Sequence, residues 1–524
     1  MRQNFHTNSP NFSTKKKPKT NTAEYSTVLK MILCVICKPF VFIIEKETTT
    51  NMLPFQNTTG LYTDHYELTM AQGYLLSGRH EKQASFDYFF RKNPFNGSFV
   101  VFSGLSTALE MIRNFKFSSN DCDFLLSAGF ANEFVDYLRN FSFKGNIHSV
   151  KEGELIFPYE PALRVEGTIL ETQLVETLIL NILNFESLIA TKASRIRMAA
   201  GDRLLLEFGL RRAQGLGAIN ASKAAISGGF EKTSNVYSAQ QFGLESSGTM
   251  AHSWIQSFDN ELEAFRAYAQ HFPGDCTLLV DTYDTLKSGI PNAITVANEL
   301  KEKGHQLVGI RLDSGDLTYL SKKTRRMLDQ AGLQEVKIVA SNQLDEHIIQ
   351  SLLAQGAPID VFGVGTSLAT GKDDAALDGV YKLAFFDNKP SIKVSENKAK
   401  MTLPGVKTLH RFIDQDQLFC ADGISCAEEK EYDWIYHPLA PEKQKHISSF
   451  QKEELMHEVV RDGETIISDQ TPYESASYTQ ARLKQLPEEH KRFLNPHVYK
   501  VGISQKLMNM RDDLAKAYLD KNMF

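Results

Sequence analysis

Four continuous apolar runs, each ending in polar or glycine residues, dominate the middle of the chain. Segments with the apolar spacing of helices separate them, at 292–303, 317–331 and 345–355. Apolar strands that alternate with helices are typical of a parallel sheet covered on both faces. So many in succession predict an irregular TIM-like α/β barrel, with an open, doubly wound sheet as the alternative. The four runs are CTLLVDTY (276–283), LVGIRLD (307–313), VKIVASN (336–342) and IDVFGVGT (359–366).

The flanking segments have a different pattern. Aromatic and β-branched runs at 85–91 and 98–104 surround a turn with Pro, Asn and Gly, which predicts a hairpin or two closely paired strands. Helices at 105–115 and 131–140 and two further short strands complete an α+β segment. After residue 380, two strand-like runs precede a polar, helix-leaning tail.

A length of 524 residues predicts two or three domains. We expect a second, α+β domain built from the N-terminal segment and part of the C-terminal segment. The expected division is an N-terminal extension (1–51), an α+β domain (52–160), the barrel (161–380) and a region that packs back on both (381–524).

The first 51 residues contain an apolar run at 28–44 after a lysine-rich start. Lys30, Lys38 and Pro39 interrupt that run, which argues against a signal peptide or a membrane span. We expect a disordered tail or an over-extended start, with the functional chain beginning at Met52.

Composition excludes several classes of protein. Hydrophobic residues make up 42% and charged residues 23%, as in ordinary globular proteins. A net charge of -5 gives no general attraction for nucleic acid or anionic lipid, so neither partner is expected. Six irregularly spaced cysteines are too few for a disulfide framework and indicate a reducing cytoplasm.

Candidate chemistry lies where the predicted strands end, which is where barrel enzymes build their sites. Arg311 can hold an anion or stack on a planar ring, and Asp313 can take sugar hydroxyls or a magnesium-bound water. Ser314 and Asp316 follow, and each could instead cap the next helix.

Two further strand ends suit anions. Gly363 and Gly365, followed by Thr366, would let backbone N–H groups approach a phosphate without an intervening Cβ. Arg211 and Arg212 follow strand RLLLEFG and suit a carboxylate or a pyrophosphate, or form a solvated surface pair.

Asp281 and Asp284 add carboxylates at another strand end. Carboxylates repel nearby phosphates unless a divalent cation lies between them, so we expect Mg²⁺, held by Asp281 and Asp313 and by substrate phosphates. No dinucleotide fingerprint, P-loop or GxSxG elbow is present, which leaves dehydrogenase, P-loop and hydrolase functions unsupported.

His252 lies in the small, hydroxyl-bearing segment GTMAHS (248–253), where nothing bulky shields its imidazole. Such a histidine can act as a nucleophile. Most single histidines are structural, so this hypothesis depends on the strand-end groups at Asp281, Arg311 and Asp313.

From about residue 53 onward the chain resembles the nicotinate phosphoribosyltransferases. The resemblance implies a type II phosphoribosyltransferase barrel that works as a homodimer, whose site can borrow a residue from the partner subunit. It is carried, in order, by LYTDHYELTMAQGY, EFGLRRAQG, GTMAHSWIQSF, LVDTYDT, GIRLDSGDL and VFGVGTSL.

The resemblance also implies an activity. These enzymes form nicotinate mononucleotide and diphosphate from nicotinate and 5-phosphoribosyl 1-diphosphate, with ATP hydrolysis, as the first step of NAD synthesis from nicotinate. A related enzyme that uses nicotinamide or another base, and a non-catalytic barrel scaffold, stay open as alternatives.

Individual roles follow from the same resemblance. His252 matches the histidine that ATP phosphorylates, Tyr66 and Thr249 match residues lining the nicotinate site, and Arg311 matches the arginine over the pyridine. Asp313 matches the ribose and metal carboxylate. The remaining matches are Gly363 and Gly365 as the phosphate nest, Thr366 as a phosphate contact, and Arg211 as a residue favouring a ring with a carboxylate.

Overall fold

A computed structural model describes residues 60–395 and 400–521. The predictions for residues 1–51 lie outside these ranges. The α-helices are α1 (His65–Leu76), α2 (Leu105–Arg113), α3 (Ser119–Ser127), α4 (Asn132–Arg139), α5 (Ile169–Leu174), α6 (Glu176–Ala200), α7 (Gly217–Ser227), α8 (Val236–Phe242), α9 (His252–Gln256), α10 (Glu261–His271), α11 (Ile290–Glu302), α12 (Leu317–Gln330), α13 (Glu346–Ala354), α14 (Thr366–Ala369), α15 (Pro472–Gln485) and α16 (Gln505–Lys521).

Three sheets and a short pair of strands complete the described part. Within it, no helix is both long enough and apolar enough to cross a lipid bilayer. The strands are β1 (Gln83–Phe90), β2 (Val100–Val101), β3 (Asn146–Ser149), β4 (Leu155–Ile156), β5 (Leu163–Thr168), β6 (Leu204–Glu207), β7 (Lys232–Thr233), β8 (Thr277–Leu279), β9 (Gly309–Leu312), β10 (Lys337–Ser341), β11 (Val361–Val364), β12 (Gly379–Phe386), β13 (Lys389–Pro390), β14 (Lys407–Ile413), β15 (Phe419–Cys426), β16 (Trp434–His437), β17 (Ala440–His446), β18 (Gln451–Glu454), β19 (His457–Arg461), β20 (Glu464–Thr465) and β21 (Val501–Ser504).

Six parallel strands form the sheet that carries the candidate site, in the order β7-β6-β11-β10-β9-β8. The last strand, β11, pairs with the first, β6, with Val361 opposite Leu204 and Val364 opposite Glu207. Pairing of the last strand with the first is what closes a barrel. Strands β7 and β8 stand at the two ends of this order and are not hydrogen-bonded to each other. The barrel therefore has a gap between them, which makes it irregular. The predicted α/β barrel is confirmed.

The four apolar runs became β8 to β11, and the helices predicted between them became α11, α12 and α13. Leu278, Ile310, Ile338 and Phe362, one from each strand, are fully buried. Helices cover these strands on one side while the barrel interior covers the other, which explains why the runs are apolar throughout.

The second domain draws on both ends of the chain, as predicted. A seven-stranded antiparallel sheet has the order β13-β12-β1-β5-β3-β19-β20 and so mixes early strands with strands beyond residue 378. A third sheet, of order β17-β16-β21-β15-β14-β18, comes entirely from the C-terminal region.

Two local predictions are wrong. Strands β1 and β2 do not form a hairpin, because β1 pairs with β5 and β12 while β2 pairs with β4. Phe95 and Asn96 adopt left-handed backbone conformations in the turn between them, and Phe95 is buried there, so the turn redirects the chain. The predicted helix-leaning tail consists of strands as far as β20, with Trp434 and Tyr436 in β16, and helices α15 and α16 come only after them. Strands such as β17 expose most residues, which removes the alternation that marks a strand in sequence.

A buried ionic cluster joins the N-terminal and C-terminal segments. The fully buried Arg411 contacts Glu154 and lies 2.6 Å from Asp422, while Nε of Arg482 donates to Glu154 at 3.0 Å. Burial lowers the pKa of Arg411, but the charges of Asp422 and Glu154 outweigh it and raise that pKa well above its usual value. The guanidinium is therefore a permanent cation in the protein interior.

Candidate functional site

Arg311, on β9, is the centre of a cluster at the carboxyl ends of the barrel strands. Its guanidinium donates hydrogen bonds from Nε to Ser341 Oγ at 2.9 Å, from NH1 to Thr249 Oγ1 at 3.0 Å, and from NH2 to Asp313 Oδ1 at 2.8 Å. It lies 5.5 Å from the centre of the Phe208 ring. Because the side chain is only 11% exposed, these contacts fix its orientation.

Asp313 uses its two oxygens differently. Oδ1 accepts hydrogen bonds from Arg311 and from the Ser341 hydroxyl, whereas Oδ2 lies 3.9 Å from Nε2 of His252. Burial raises the pKa of Asp313, but the Ser341 hydrogen bond and the charge of Arg311 outweigh it, so that pKa is lowered. The side chain is therefore a carboxylate at neutral pH.

His252 is the first residue of α9 and is 42% exposed. Its Nδ1 lies 3.0 Å from the hydroxyl of Thr282, at the end of the strand run that includes β8. A Cβ added at Gly248 would meet nothing within 4 Å, so the backbone four residues before the imidazole is also uncrowded. The ring is held in place yet accessible to a ligand.

Asp281 belongs to this cluster, whereas Asp284 does not. Oδ2 of Asp281 accepts hydrogen bonds from the Asp313 backbone N–H and the Ser314 hydroxyl, both at 2.7 Å. Its Oδ1 is buried with no hydrogen-bond partner among the described residues. Asp284 instead caps the π-helical turn Thr285–Gly289 through two backbone N–H groups.

The two candidate caps after β9 separate in the same way. Asp316 is the N-cap of α12 and accepts from the Tyr319 backbone N–H at 3.0 Å. Ser314 binds Asp281 instead, which helps hold the loop after β9.

The glycine segment at the end of β11 divides into a packed part, Gly363 within the strand, and an outward part that follows it. A Cβ at Gly363 would lie 2.6 Å from the Phe208 ring, so this glycine allows Phe208 to pack against the strand. Gly365 precedes α14, and Thr366, its first residue, is exposed. The outward turn at Gly365 and Thr366 is the part open to a ligand.

Two sequence-predicted residues make no hydrogen bond or ion pair with the cluster among the described residues. Arg211, in the turn Leu210–Arg212 after β6, is exposed and makes no hydrogen bond or ion pair within residues 60–395 and 400–521. Tyr66, on α1, is 45% exposed. Burial raises its pKa, and so do the neighbouring Glu176, Glu67 and Asp64, none of which belongs to the strand-end cluster.

Sequence reasoning missed Thr282, Ser341 and Phe208. The first two stand at the ends of apolar runs, where the rule that selected Arg311 applies equally. They were passed over because a lone hydroxyl carries no charge signal. Phe208 gave no signal, because an aromatic residue next to a strand is usually core.

The irregular parallel barrel, with an Arg–Asp pair, an accessible histidine and an outward glycine turn at one rim, defines an α/β-barrel enzyme. Three family models match the chain: the nicotinate phosphoribosyltransferase N-terminal domain at 61–184, the family's main region at 204–407 and its C-terminal domain at 406–511. The chain belongs to the nicotinate phosphoribosyltransferase family.

Individual relatives agree with this assignment. Nicotinate phosphoribosyltransferase from Bacillus subtilis is 44% identical, over 86% of this chain and 94% of its own length. The Dictyostelium discoideum protein of the same name is 36% identical, over 91% of each chain. The crystal structure of human nicotinic acid phosphoribosyltransferase superposes with a TM-score of 0.77 at 31% identity, covering 86% of this chain and 99% of the human one.

Proposed function

We propose that this protein transfers the phosphoribosyl group of 5-phosphoribosyl 1-diphosphate to nicotinate and couples the reaction to ATP hydrolysis. The products are nicotinate mononucleotide and diphosphate, in the first step of NAD synthesis from nicotinate. Family membership supports the substrates. The observation that carries the site assignment is the contact network among Arg311, Asp313 and His252 at the barrel rim.

In the proposed reaction, the pyridine nitrogen of nicotinate attacks the anomeric carbon as the bond to diphosphate breaks. Positive charge then develops on the sugar, and the carboxylate of Asp313 is placed to stabilise it and to bind ribose hydroxyls. Arg311 lies over the ring, and the outward turn at Gly365 and Thr366 offers N–H and hydroxyl donors to phosphate.

The carboxylates fit Mg²⁺, which prefers oxygen ligands. Among the described residues, Oδ1 of Asp281 has no hydrogen-bond partner and Oδ2 of Asp313 accepts no hydrogen bond, so each residue keeps an oxygen for a metal. The described residues contain no group of three or more His, Cys, Asp or Glu side chains suited to a metal. Substrate oxygens and water would therefore complete the coordination, and bound Mg²⁺ would neutralise charge on the leaving diphosphate.

We propose His252 as the phosphoryl acceptor. The bond between the γ-phosphorus of ATP and its bridging oxygen breaks, a phosphorus–nitrogen bond forms on the imidazole, and ADP leaves. Water later releases the phosphate. The exposure of the ring and its contacts with Thr282 and Asp313 support this role, because they orient the imidazole without covering it.

The exposure of Tyr66 leaves its ring available to a second copy of the chain, which supports the expected homodimer. Its ring is 45% exposed, and its neighbours in this chain are acidic residues outside the strand-end cluster. A second copy of the chain would bring Tyr66 of the partner subunit to the nicotinate site.

Two wider expectations also stand as proposals. We propose the domain division at 52–160, 161–380 and 381–524. We also propose a reducing, cytoplasmic location, which the free state of all four described cysteines supports.

The test incubates the full chain with Mg²⁺-ATP, 5-phosphoribosyl 1-diphosphate and either nicotinate or nicotinamide, and follows mononucleotide formation. We expect product with nicotinate. Product with nicotinamide alone would favour the related enzyme, and no product with either base would favour the scaffold. Arg211→Ala should lower kcat/KM for nicotinate more than for nicotinamide, because Arg211 is proposed to bind the ring carboxylate.

His252→Ala should abolish acid-labile phosphate on the protein and uncouple ATP hydrolysis, while some ATP-independent synthesis survives. The exposed His305 gives a matched control, since His305→Ala should retain both properties. Acid-labile phosphate retained on the His252→Ala protein would refute the assignment.

A further inference from the structure

Ser341 is the last residue of β10 and is 2% exposed. Its predecessor, Ala340, pairs with Leu312 on β9, so Ser341 lies beside the point where β9 delivers Asp313. The residue is thus at the barrel rim but beneath its surface, where it contacts side chains instead of solvent.

The Ser341 hydroxyl bridges the two charged residues of the site. It accepts from Nε of Arg311 at 2.9 Å and makes a short hydrogen bond to Oδ1 of Asp313. Its other acceptor, the Leu312 carbonyl, is 3.5 Å away. A hydroxyl has one hydrogen, so that hydrogen goes to the nearer, charged oxygen.

This bridge decides which atoms remain for a ligand. Oδ1 of Asp313 accepts from both Ser341 and Arg311, which leaves Oδ2 facing His252. The Nε and NH2 donors of Arg311 are both used within the same triangle. Without the hydroxyl, Nε of Arg311 loses its acceptor and Asp313 loses one of two restraints on Oδ1.

We infer that Ser341 is a positioning residue that fixes the relative orientation of Arg311 and Asp313 without contacting the substrates itself. The inference rests on the roles proposed above for those two residues. A buried, uncharged side chain thus helps to set the geometry of the two charged side chains in the site.

A double-mutant cycle on the full-length protein tests the inference. Ser341→Ala should lower kcat/KM for nicotinate about 10- to 100-fold, the loss typical when a residue that orients a functional side chain is removed. In an Arg311→Ala background the same change should cost clearly less than it does alone, because the orientation of Arg311 is no longer at stake and only the restraint on Asp313 is left to lose. If the loss of kcat/KM in the double variant equals the product of the losses in Ser341→Ala and Arg311→Ala, the inference is overturned.

Ser341→Cys keeps nearly the same volume but provides only a weak hydrogen bond, so it should behave like Ser341→Ala. Activity of the Cys variant equal to wild type would also overturn the inference. Ser85 is the matched control, since it is 1% exposed on β1 and its hydroxyl has no partner among the described residues. Ser85→Ala should leave kcat/KM unchanged in both backgrounds.

If Arg311→Ala alone retains wild-type kcat/KM, the role proposed for Arg311 is wrong. If Arg311→Ala is impaired and Ser341→Ala is not, only the positioning role of Ser341 is wrong.

Discussion

Nε2 of His252 lies 3.9 Å from Oδ2 of Asp313, although the two residues come from different barrel loops. The carboxylate is ionised at neutral pH because Ser341 and Arg311 keep its pKa low. A negative charge so near the imidazole opposes the placing of a second negative charge on the ring. The phosphorylation state of His252 and the use of Asp313 in the reaction are therefore linked electrostatically.

Asp313→Asn tests the carboxylate itself. The change keeps the shape but removes the charge proposed to stabilise the developing positive charge on the sugar. We expect kcat to fall about 10²- to 10³-fold, the range for losing one group that stabilises transition-state charge. Steady-state kinetics measure it. Asp284→Asn is the control, because Asn is an equally good cap, and its activity should be unchanged.

Gly363→Ala should destabilise the barrel. The new methyl would lie 2.6 Å from the Phe208 ring, and displacing that ring costs about 1–3 kcal/mol, as for other overpacked cores. Thermal unfolding measures the change. Gly73→Ala, on α1 with open space around it, should instead be neutral or stabilising by up to about 1 kcal/mol. Equal effects at both positions would contradict the packing role of Gly363.

Arg411→Met should destabilise the protein strongly. It leaves Asp422 buried without its cation and Glu154 with Arg482 alone, and breaking a buried ion pair from one side typically costs about 3–5 kcal/mol. The exposed pair of Arg266 and Glu299 provides the comparison, since Arg266→Met should change stability little because solvent screens that pair. A denaturant midpoint for Arg411→Met close to that of Arg266→Met would show that the cluster does not stabilise the fold.

Glu67 predicts a pH dependence of stability. Burial raises its pKa to about 7, against the hydrogen bonds from Thr177 and Thr63, which lower it. In the unfolded chain the pKa of a glutamate is about 4.3, so the folded protein binds the proton of Glu67 more tightly than the unfolded chain does. The stability that Glu67 contributes is fully present below about pH 4.3 and is lost as pH rises through about 7.

Glu67→Gln removes this titration while keeping the side chain neutral. The melting temperature of the variant relative to wild type should therefore increase between about pH 5 and about pH 8. A difference in melting temperature between the two proteins that stays constant across this pH range would mean that Glu67 keeps an ordinary pKa.

The strand-end rule found most of the site because it depends on topology. In a parallel barrel, the ends of all strands meet at one rim, so Arg311, Asp313 and Asp281 could be grouped from their places in the sequence. The same rule could not separate Asp281 from Asp284. Asp281 accepts a hydrogen bond from the neighbouring loop, whereas Asp284 caps the turn that follows it. Both residues lie just after the same apolar run, so their positions in the sequence do not distinguish the two roles.

Pairing between distant segments could not be predicted. Strand β1 pairs with β12, and Arg411 contacts Glu154, although long stretches of chain separate the partners. No local sequence pattern indicates either contact. The exposed strands near Trp434 had no alternation to identify them, because sheet pairing alone defines them. Local pattern therefore failed where the stabilising contacts are non-local.

The sequence by itself determined the barrel and the residue types at its rim. Each continuous apolar strand, and the polar residues at its end, can be recognised within one short segment, because the burial of that strand decides its composition. Only the tertiary structure decided how those residues work together. The Ser341 bridge, the separate use of the two oxygens of Asp313 and the packing of Phe208 on Gly363 all depend on atoms from different strands meeting within hydrogen-bond or van der Waals distance. Such contacts arise when the barrel closes, and no single segment encodes them.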